Sequence, residues 1–304
     1  AIQMIHQYMD AGGNHVDTAN VYAGGASEEI TAKALEGKRQ STILATKYNF
    51  PLHTDPNDFG ASRHNLMNSL EDSLKRLKTD YIDLLYIHCW DPYTPVEEMM
   101  RGLDDVVRQG KVRYIGVSNF KAWQVMKAMG IAEKRGFIPF VAAQYQYSLV
   151  KRDIEYEFAD MLLSEGLGLC PWGPLGGGFL SGKYTKDQKP SDISEGRIGD
   201  TPDGNEESWA RRNTAQNWAI LAAVEDIATA HGATHAQVAL AWLRGKEYVS
   251  SVILGARTPE QLTQALKAAE RELSAKELKL LDEVSSLPEL YPYRMIEAYG
   301  RKKP

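Results

Sequence analysis

The chain has 304 residues, of which 43% are apolar and 25% charged, and its formal net charge is −5. That balance suits a folded chain with a large core and excludes extensive disorder. It also argues against nucleic acid as the main partner, while leaving room for a local basic pocket for a phosphate. No apolar run approaches the length of a membrane-spanning helix. Ala1 to Gly13 lack a basic leader and a continuous apolar stretch, so they do not read as a signal peptide. The two cysteines, Cys89 and Cys170, form no CxxC pattern; they read as reduced, buried thiols, which fits the cytoplasm.

In chain order, Ile2, Ile5 and Met9 repeat at helical spacing and Gly12-Gly13 stops that helix. Asn14 to Asp17 reads as a strand, with Tyr22 one short turn later. Ser27-Glu28-Glu29-Ile30 opens a helix with Ser27 as its N-cap. The strand Thr42–Thr46 ends in Lys47, and a polar loop from Pro51 to Gly60 leads to a helix over 62–77. The strand Ile82–Ile87 ends in His88, and a helix over 95–109 follows. Strands at 112–117, 140–143, 167–170 and 250–254 alternate with helices at 121–135, 152–165, 214–231, 236–244 and 259–271. A last helix spans 275–285. The Gly- and Pro-rich segment from Gly176 to Asn213 is too long for a passive connection and reads as a lid over the strand tips.

Seven strands separated by helices imply parallel βαβ units. No GxGxxG follows the first strand, which disfavours a doubly wound sheet. The pattern predicts a (β/α)8 TIM barrel, a single domain over residues 1–304, with its N-terminal hairpin and first strand expected before Ala1.

Three successive strands deliver Asp17, Lys47 and His88 at their C-terminal ends, where such barrels build their sites. An ammonium drawn into a partly desolvated mouth needs Asp17 as counter-charge. The same ammonium favours the anion of a neighbouring phenol, which equips Tyr22 to act as a general acid while His88 holds a carbonyl oxygen. A metal-dependent hydrolase would need clustered His ligands. His15-Val16-Asp17 offers only part of such a set, so no metal is expected.

With its contexts Asp17-Thr18-Ala19, Ala45-Thr46-Lys47 and Ile87-His88, the chain resembles the aldo-keto reductases over essentially its whole length. The resemblance implies an NADP(H)-dependent oxidoreductase that reduces aldehydes and ketones to alcohols. Asp17, Tyr22, Lys47 and His88 would form its catalytic tetrad. It also implies that Ser118, Asn119 and Gln144 hold the nicotinamide carboxamide and that Trp172 stacks on the ring. Gly173, Pro174, Leu175, Gly177, Leu180, Gly182 and Lys183 would lie along the pyrophosphate. Gly255, Arg257 and Gln261 open the helix over 259–271, where a helix N-terminus and an Arg fork suit a 2′-phosphate. Leu254 and Ala265 depart from the family's usual Pro and Asn. Tyr48, Phe50, Trp90 and Tyr93 are candidate walls of a pocket for a small carbonyl or alcohol substrate. The same family includes potassium-channel β subunits, so a cofactor-holding regulatory protein with little turnover is the alternative. No residue pattern fixes an oligomeric state.

Overall fold

In the computed structural model, which describes residues 1–204 and 206–300, every β-strand that forms is short and parallel to its neighbours. Helix α1 (Ile2–Asp10) precedes β1 (His15–Asp17), and a 3-10 turn at Tyr22–Gly25 leads into α2 (Ala26–Ala34). Then come β2 (Ile43–Tyr48), α3 (Arg63–Leu77), β3 (Ile82–Ile87), α4 (Val96–Arg108) and β4 (Val112–Ser118). These are followed by α5 (Ala122–Arg135), β5 (Phe140–Gln144), α6 (Phe158–Glu165) and β6 (Gly168–Leu169). The remaining helices are α7 (Arg197–Asp200), α8 (Trp209–Arg212), α9 (Ala215–His231), α10 (His235–Arg244), α11 (Pro259–Leu266), α12 (Ala275–Val284) and α13 (Tyr293–Tyr299).

The sequence explains these elements locally. In α4, Val96, Met99, Met100, Leu103 and Val106 are buried at the i, i+3, i+4, i+7 spacing of one helical face, with Glu97, Glu98, Arg101 and Arg108 among the residues off that face. Each such side chain contributes roughly 1.5–3 kcal/mol by leaving water. Ser62 caps α3 by accepting a hydrogen bond from the Asn65 backbone N–H, and Gly136 closes α5 at φ +66°. Ser27 is not the N-cap of α2. Gly25 takes that place with φ 92°, and the Ser27 hydroxyl lies 2.8 Å from the Thr18 hydroxyl instead.

The described residues fall into two units. The first comprises Ala1–Tyr145, Leu162–Cys170 and Gly255–Leu266. It contains a six-stranded sheet, all parallel, in the order β1-β2-β3-β4-β5-β6. In a flat sheet β1 and β5 would lie about 19 Å apart at the usual strand spacing. Yet Gln144 Nε2 at the end of β5 donates to Asp17 Oδ1 at the end of β1 over 2.8 Å, so the sheet is curled. Ala45, Leu84, Tyr86 and Ala142 pack into one buried cluster, and Gly116 leaves room for the Tyr86 ring, which any Cβ there would strike.

The second unit comprises Gln146–Met161, Pro171–Leu254 and the chain from Lys267 onward. Trp242, Tyr147, Phe179 and Leu281 are fully buried in it. Arg152 is bidentate to Glu155 at 2.7 and 2.6 Å, and Tyr147 donates to the same carboxylate at 2.5 Å. The Gly-rich segment after Pro171 is built from short turns at Phe179–Ser181 and Ile193–Glu195 together with α7 and α8.

Three further expectations need correction. Ser250–Leu254 forms no strand; among the described residues one backbone bond, Ile253 N–H to the Pro171 carbonyl at 3.0 Å, ties it, which is short of a ladder. The helix expected over 152–165 breaks into a 3-10 turn at Asp153–Tyr156 and α6, because Glu157 leaves helical space at φ −137°. The helix expected over 259–271 likewise ends as a 3-10 turn after Leu266.

Candidate active site

Asp17 is the last residue of β1, Lys47 lies one residue before the end of β2, and His88 follows β3 directly. Parallel pairing aligns these ends and the curl brings the side chains together. Lys47 is fully buried, and its Nζ donates to Asp17 Oδ2 at 2.6 Å and to the Thr18 carbonyl at 2.8 Å. A buried ammonium requires such partners, since desolvating it alone costs several kcal/mol. The Asp17 carboxylate is braced from the other side by Gln144 Nε2 at 2.8 Å.

Tyr22 starts the 3-10 turn after β1, and its ring centroid lies 4.8 Å from Lys47 Nζ. It is 40% exposed, so the phenol can meet a ligand. The His88 ring stands edge-on to Tyr22 at 5.9 Å and tilted against Phe50 at 4.6 Å. Burial, reinforced by the Lys47 charge, pushes His88 down to about 3, so its imidazole is neutral at physiological pH. Its Nδ1 is buried without a hydrogen-bond partner. Burial also lowers His15, two residues before Asp17 on the same strand.

The neighbouring strand ends form one hydrogen-bonded row. Ser118 Oγ donates to the Gln144 carbonyl at 2.7 Å, and Asn119 Nδ2 donates to the His88 carbonyl at 2.8 Å and to Ser118 Oγ at 3.0 Å. These bonds hold Asn119 at φ 53°, a left-handed conformation that Asn tolerates better than most residues. They engage the Asn119 amide N–H groups, and its Oδ1 accepts no hydrogen bond among the described residues. That open acceptor fits the N–H2 group of a nicotinamide carboxamide.

Of the expected pocket walls, Phe50 is brought against His88. Tyr48 is not available: alternation along β2 turns it away from the face of Lys47, and it is 1% exposed. Burial pushes its phenol well above the usual range. Tyr93 is 92% exposed, and Trp90 packs edge-on to Phe120 at 5.0 Å, so neither makes a ring contact with Tyr22 or His88.

The expected cofactor residues divide between the two units. Within the second, Trp172 is half-buried and pairs through its backbone with Gln146 and Tyr147. Gly173 and Gly177 take φ 64° and 70°, and at Gly177 a Cβ would strike the Glu207 carboxylate. Pro174 and Leu180 are buried and Leu175 half-buried, whereas Gly182 is exposed. The Lys183 ammonium lies 5.0 Å from the Tyr184 ring centroid. Within the first unit, Gly255, Arg257 and Gln261 are exposed at the start of α11, and the Arg257 N–H donates to Gln261 Oε1 at 2.9 Å.

Sequence reasoning missed two buried networks. Glu28 is fully buried, accepting from Thr46 Oγ1 at 2.6 Å and from Arg76 Nε at 2.7 Å, directly behind Lys47. A signal was present: Thr31, Ala32 and Leu35 follow Glu28 at i+3, i+4 and i+7, which places it on the buried face of α2. In the second unit Gln146 Nε2 donates to Glu207 Oε1 at 2.5 Å, and Arg212 Nε donates to the Gly176 carbonyl at 3.2 Å, bracing the glycine loop. No local pattern announces that contact. Among the described residues no group of His, Cys, Asp and Glu could hold a metal ion, and no helix is long and apolar enough to cross a membrane.

The model of the Aldo/keto reductase family matches residues 1–286. The chain is 34% identical, over 96% of its length and 90% of the relative's, to an uncharacterized oxidoreductase of Bacillus subtilis, YrpG. It is 32% identical, over 96% of its length and 78% of the relative's, to a protein of Phanerodontia chrysosporium named as an aryl-alcohol dehydrogenase of NADP(+). It is also 36% identical, over 86% of its length and 79% of the relative's, to a probable voltage-gated potassium channel subunit beta of Arabidopsis thaliana.

Proposed function

The chain belongs to the aldo/keto reductase family, and from that premise we propose that it is an NADP(H)-dependent carbonyl reductase and alcohol dehydrogenase, with residues 1–304 forming one aldo-keto reductase-like domain. The observation that carries this reading is the buried Lys47–Asp17 pair at 2.6 Å beside an accessible Tyr22 and a neutral His88. The relative named for aryl-alcohol oxidation with NADP(+) supports it.

When bound, the nicotinamide supplies or accepts the hydride. Tyr22 delivers a proton from its hydroxyl to the carbonyl oxygen and takes it back in the reverse direction. Lys47 stabilises the phenolate left behind, and Asp17 compensates the charge of Lys47 throughout. An orphaned buried N–H is rarer than an under-satisfied acceptor, so the unpartnered, buried Nδ1 supports a His88 proton on Nε2. Nε2–H then donates to the substrate oxygen and fixes the face presented to the hydride. Phe50 lies against His88 and excludes water from that side. Asn119 Oδ1, with Ser118 and Gln144, would take the carboxamide. Trp172 would stack on the ring, and the Gly173–Lys183 segment would follow the pyrophosphate. Arg257, at the start of α11 with Gly255 and Gln261, would hold the 2′-phosphate. We assign the protein to the cytoplasm.

The test is optical: NADPH oxidation by the full chain against a panel of aromatic and aliphatic aldehydes and ketones, with NADH in parallel. Turnover is expected on carbonyls. Tyr22→Phe should fold and bind NADPH while losing about 10²–10⁴-fold in rate, the usual worth of a general acid. Tight NADPH binding without turnover on any carbonyl would instead select the regulatory role of a channel β subunit. Unimpaired turnover in Tyr22→Phe would remove Tyr22 as the acid.

A further inference from the structure

Parallel pairing sets Lys47 beside Tyr86 and Tyr86 beside Gly116, so all three share one face of the sheet. Asp17 stands on that face too, through its pairing with Ala45, two residues before Lys47. Tyr86 is fully buried, and its ring occupies the space that Gly116 leaves, where a Cβ would come within 2.5 Å of it.

The ring carries a buried hydroxyl that makes no well-formed hydrogen bond among the described residues. Such groups are few in native interiors, and each calls for a reason. Three polar groups face it: the Cys170 thiol, the Gln144 amide and the Asp17 carboxylate. Burial pushes both the Tyr86 phenol and the Cys170 thiol up, so both keep their protons. The thiol favours the protonated phenol, as an acceptor for its O–H does. The amide favours the phenolate, as an N–H turned towards its oxygen does. Gln144, itself buried, carries two hydrogens on Nε2. One goes to Asp17 Oδ1 at 2.8 Å, which leaves the second for the Tyr86 oxygen.

We propose that Tyr86 is a positioning residue of the site: its hydroxyl keeps the Gln144 amide turned with Nε2 towards Asp17. A flipped amide would aim Oε1 at the carboxylate, which repels it, and would also turn its N–H groups away from the phenol oxygen. Held in this way, Asp17 compensates Lys47 to a fixed degree, and Lys47 sets how readily Tyr22 gives up its proton. The titratable groups about Asp17 are Lys47 on β2, Tyr86 on β3, Cys170 after β6 and His15 on β1; those about Tyr22 are Lys47 and His88.

Tyr86→Phe removes the hydroxyl and keeps the ring against Gly116. Its effect on rate rests on Tyr22 being the acid, as proposed above; its effect on Asp17 does not, so two measurements separate them. The first is urea unfolding of the full chain at neutral pH in the cycle of Tyr86→Phe and Asp17→Asn, which needs neither cofactor nor turnover. The two changes should be coupled about threefold or more in the unfolding constant. The second is the pH profile of kcat for carbonyl reduction with NADPH. Without the hydroxyl the amide loosens, Asp17 presents more of its charge to Lys47, and the Tyr22 phenol holds its proton harder. The alkaline limb should therefore move up by about half a pH unit or more. In a Gln144→Met background, Tyr86→Phe should move nothing further. Additive unfolding overturns the inference. So does an alkaline limb that stays in place while both proteins turn over, or a shift that persists without Gln144. Coupling in a wild type that reduces no carbonyl keeps the role of Tyr86 towards Asp17 and removes the reductase reading instead.

Discussion

Replacing Asp17 by Asn is the most direct probe of the site's electrostatics, because it removes one charge and almost no volume. Lys47 Nζ stands 2.6 Å from Asp17 Oδ2 and is fully buried. At an effective dielectric of about 20, unit charges at that distance attract by about 6 kcal/mol. The Thr18 carbonyl at 2.8 Å remains as a dipolar partner in the variant and returns part of that. The expected net loss of stability is therefore about 3–5 kcal/mol, the range for a buried ion left without its partner. Urea unfolding at neutral pH measures it. Since the pair is shielded from solvent, the loss should be nearly the same at low and at high salt. The double variant Asp17→Asn/Lys47→Met should recover much of it, because no uncompensated charge is then left inside. A loss under about 1 kcal/mol, or one that disappears in salt, would mean that the pair behaves as an exposed one, and the reasoning would fail.

Three further outcomes are expected. His88 is held at about 3 by burial and by Lys47, so its NMR signals should not move between pH 8 and 5. Its neutral folded form contributes stability that is fully present above the unfolded value of about 6.5 and is lost as pH falls towards 3; a midpoint near 6.5 in the folded protein would contradict this. Glu28→Gln should cost about 3 kcal/mol in urea unfolding, because Arg76 loses its buried counter-charge behind Lys47, and a change of a few tenths would show the pair to be inert. Arg257→Ala should raise the dissociation constant for NADPH about tenfold or more while leaving NADH nearly unchanged; equal weakening of both would take Arg257 off the 2′-phosphate.

Much of this site was legible in the sequence, for a physical reason. A parallel strand buried on both faces reads as an apolar run, so an ionisable residue at its end stands out, as Asp17, Lys47 and His88 do. Most of the longer helices were legible because they carry their own apolar periodicity, and some their own caps, as α3 does from Ser62. What failed depended on partners distant in sequence. Ser250–Leu254 has the composition of a strand, but a strand exists only with a ladder, and its one tie to Pro171 does not make one. Tyr48 reads as a pocket wall because an aromatic follows Lys47, yet alternation sends it into the core. Glu28 reads as a first-turn acid favourable to the helix dipole. Its actual partners, Thr46 and Arg76, lie 18 and 48 residues away, and only folding brings them together.

The hydrogen bond from Gln144 to Asp17 spans the hollow of the sheet like a chord across an arc, joining strands that have three others between them. It makes curvature and charge a single linked variable. Relaxing the arc lengthens the chord and loosens the carboxylate that balances Lys47. By the same reciprocity, whatever steadies that carboxylate must stiffen the arc. A molecule settling over Asp17 and Gln144 would thus be felt along β5 as slower amide exchange, in residues that never touch it.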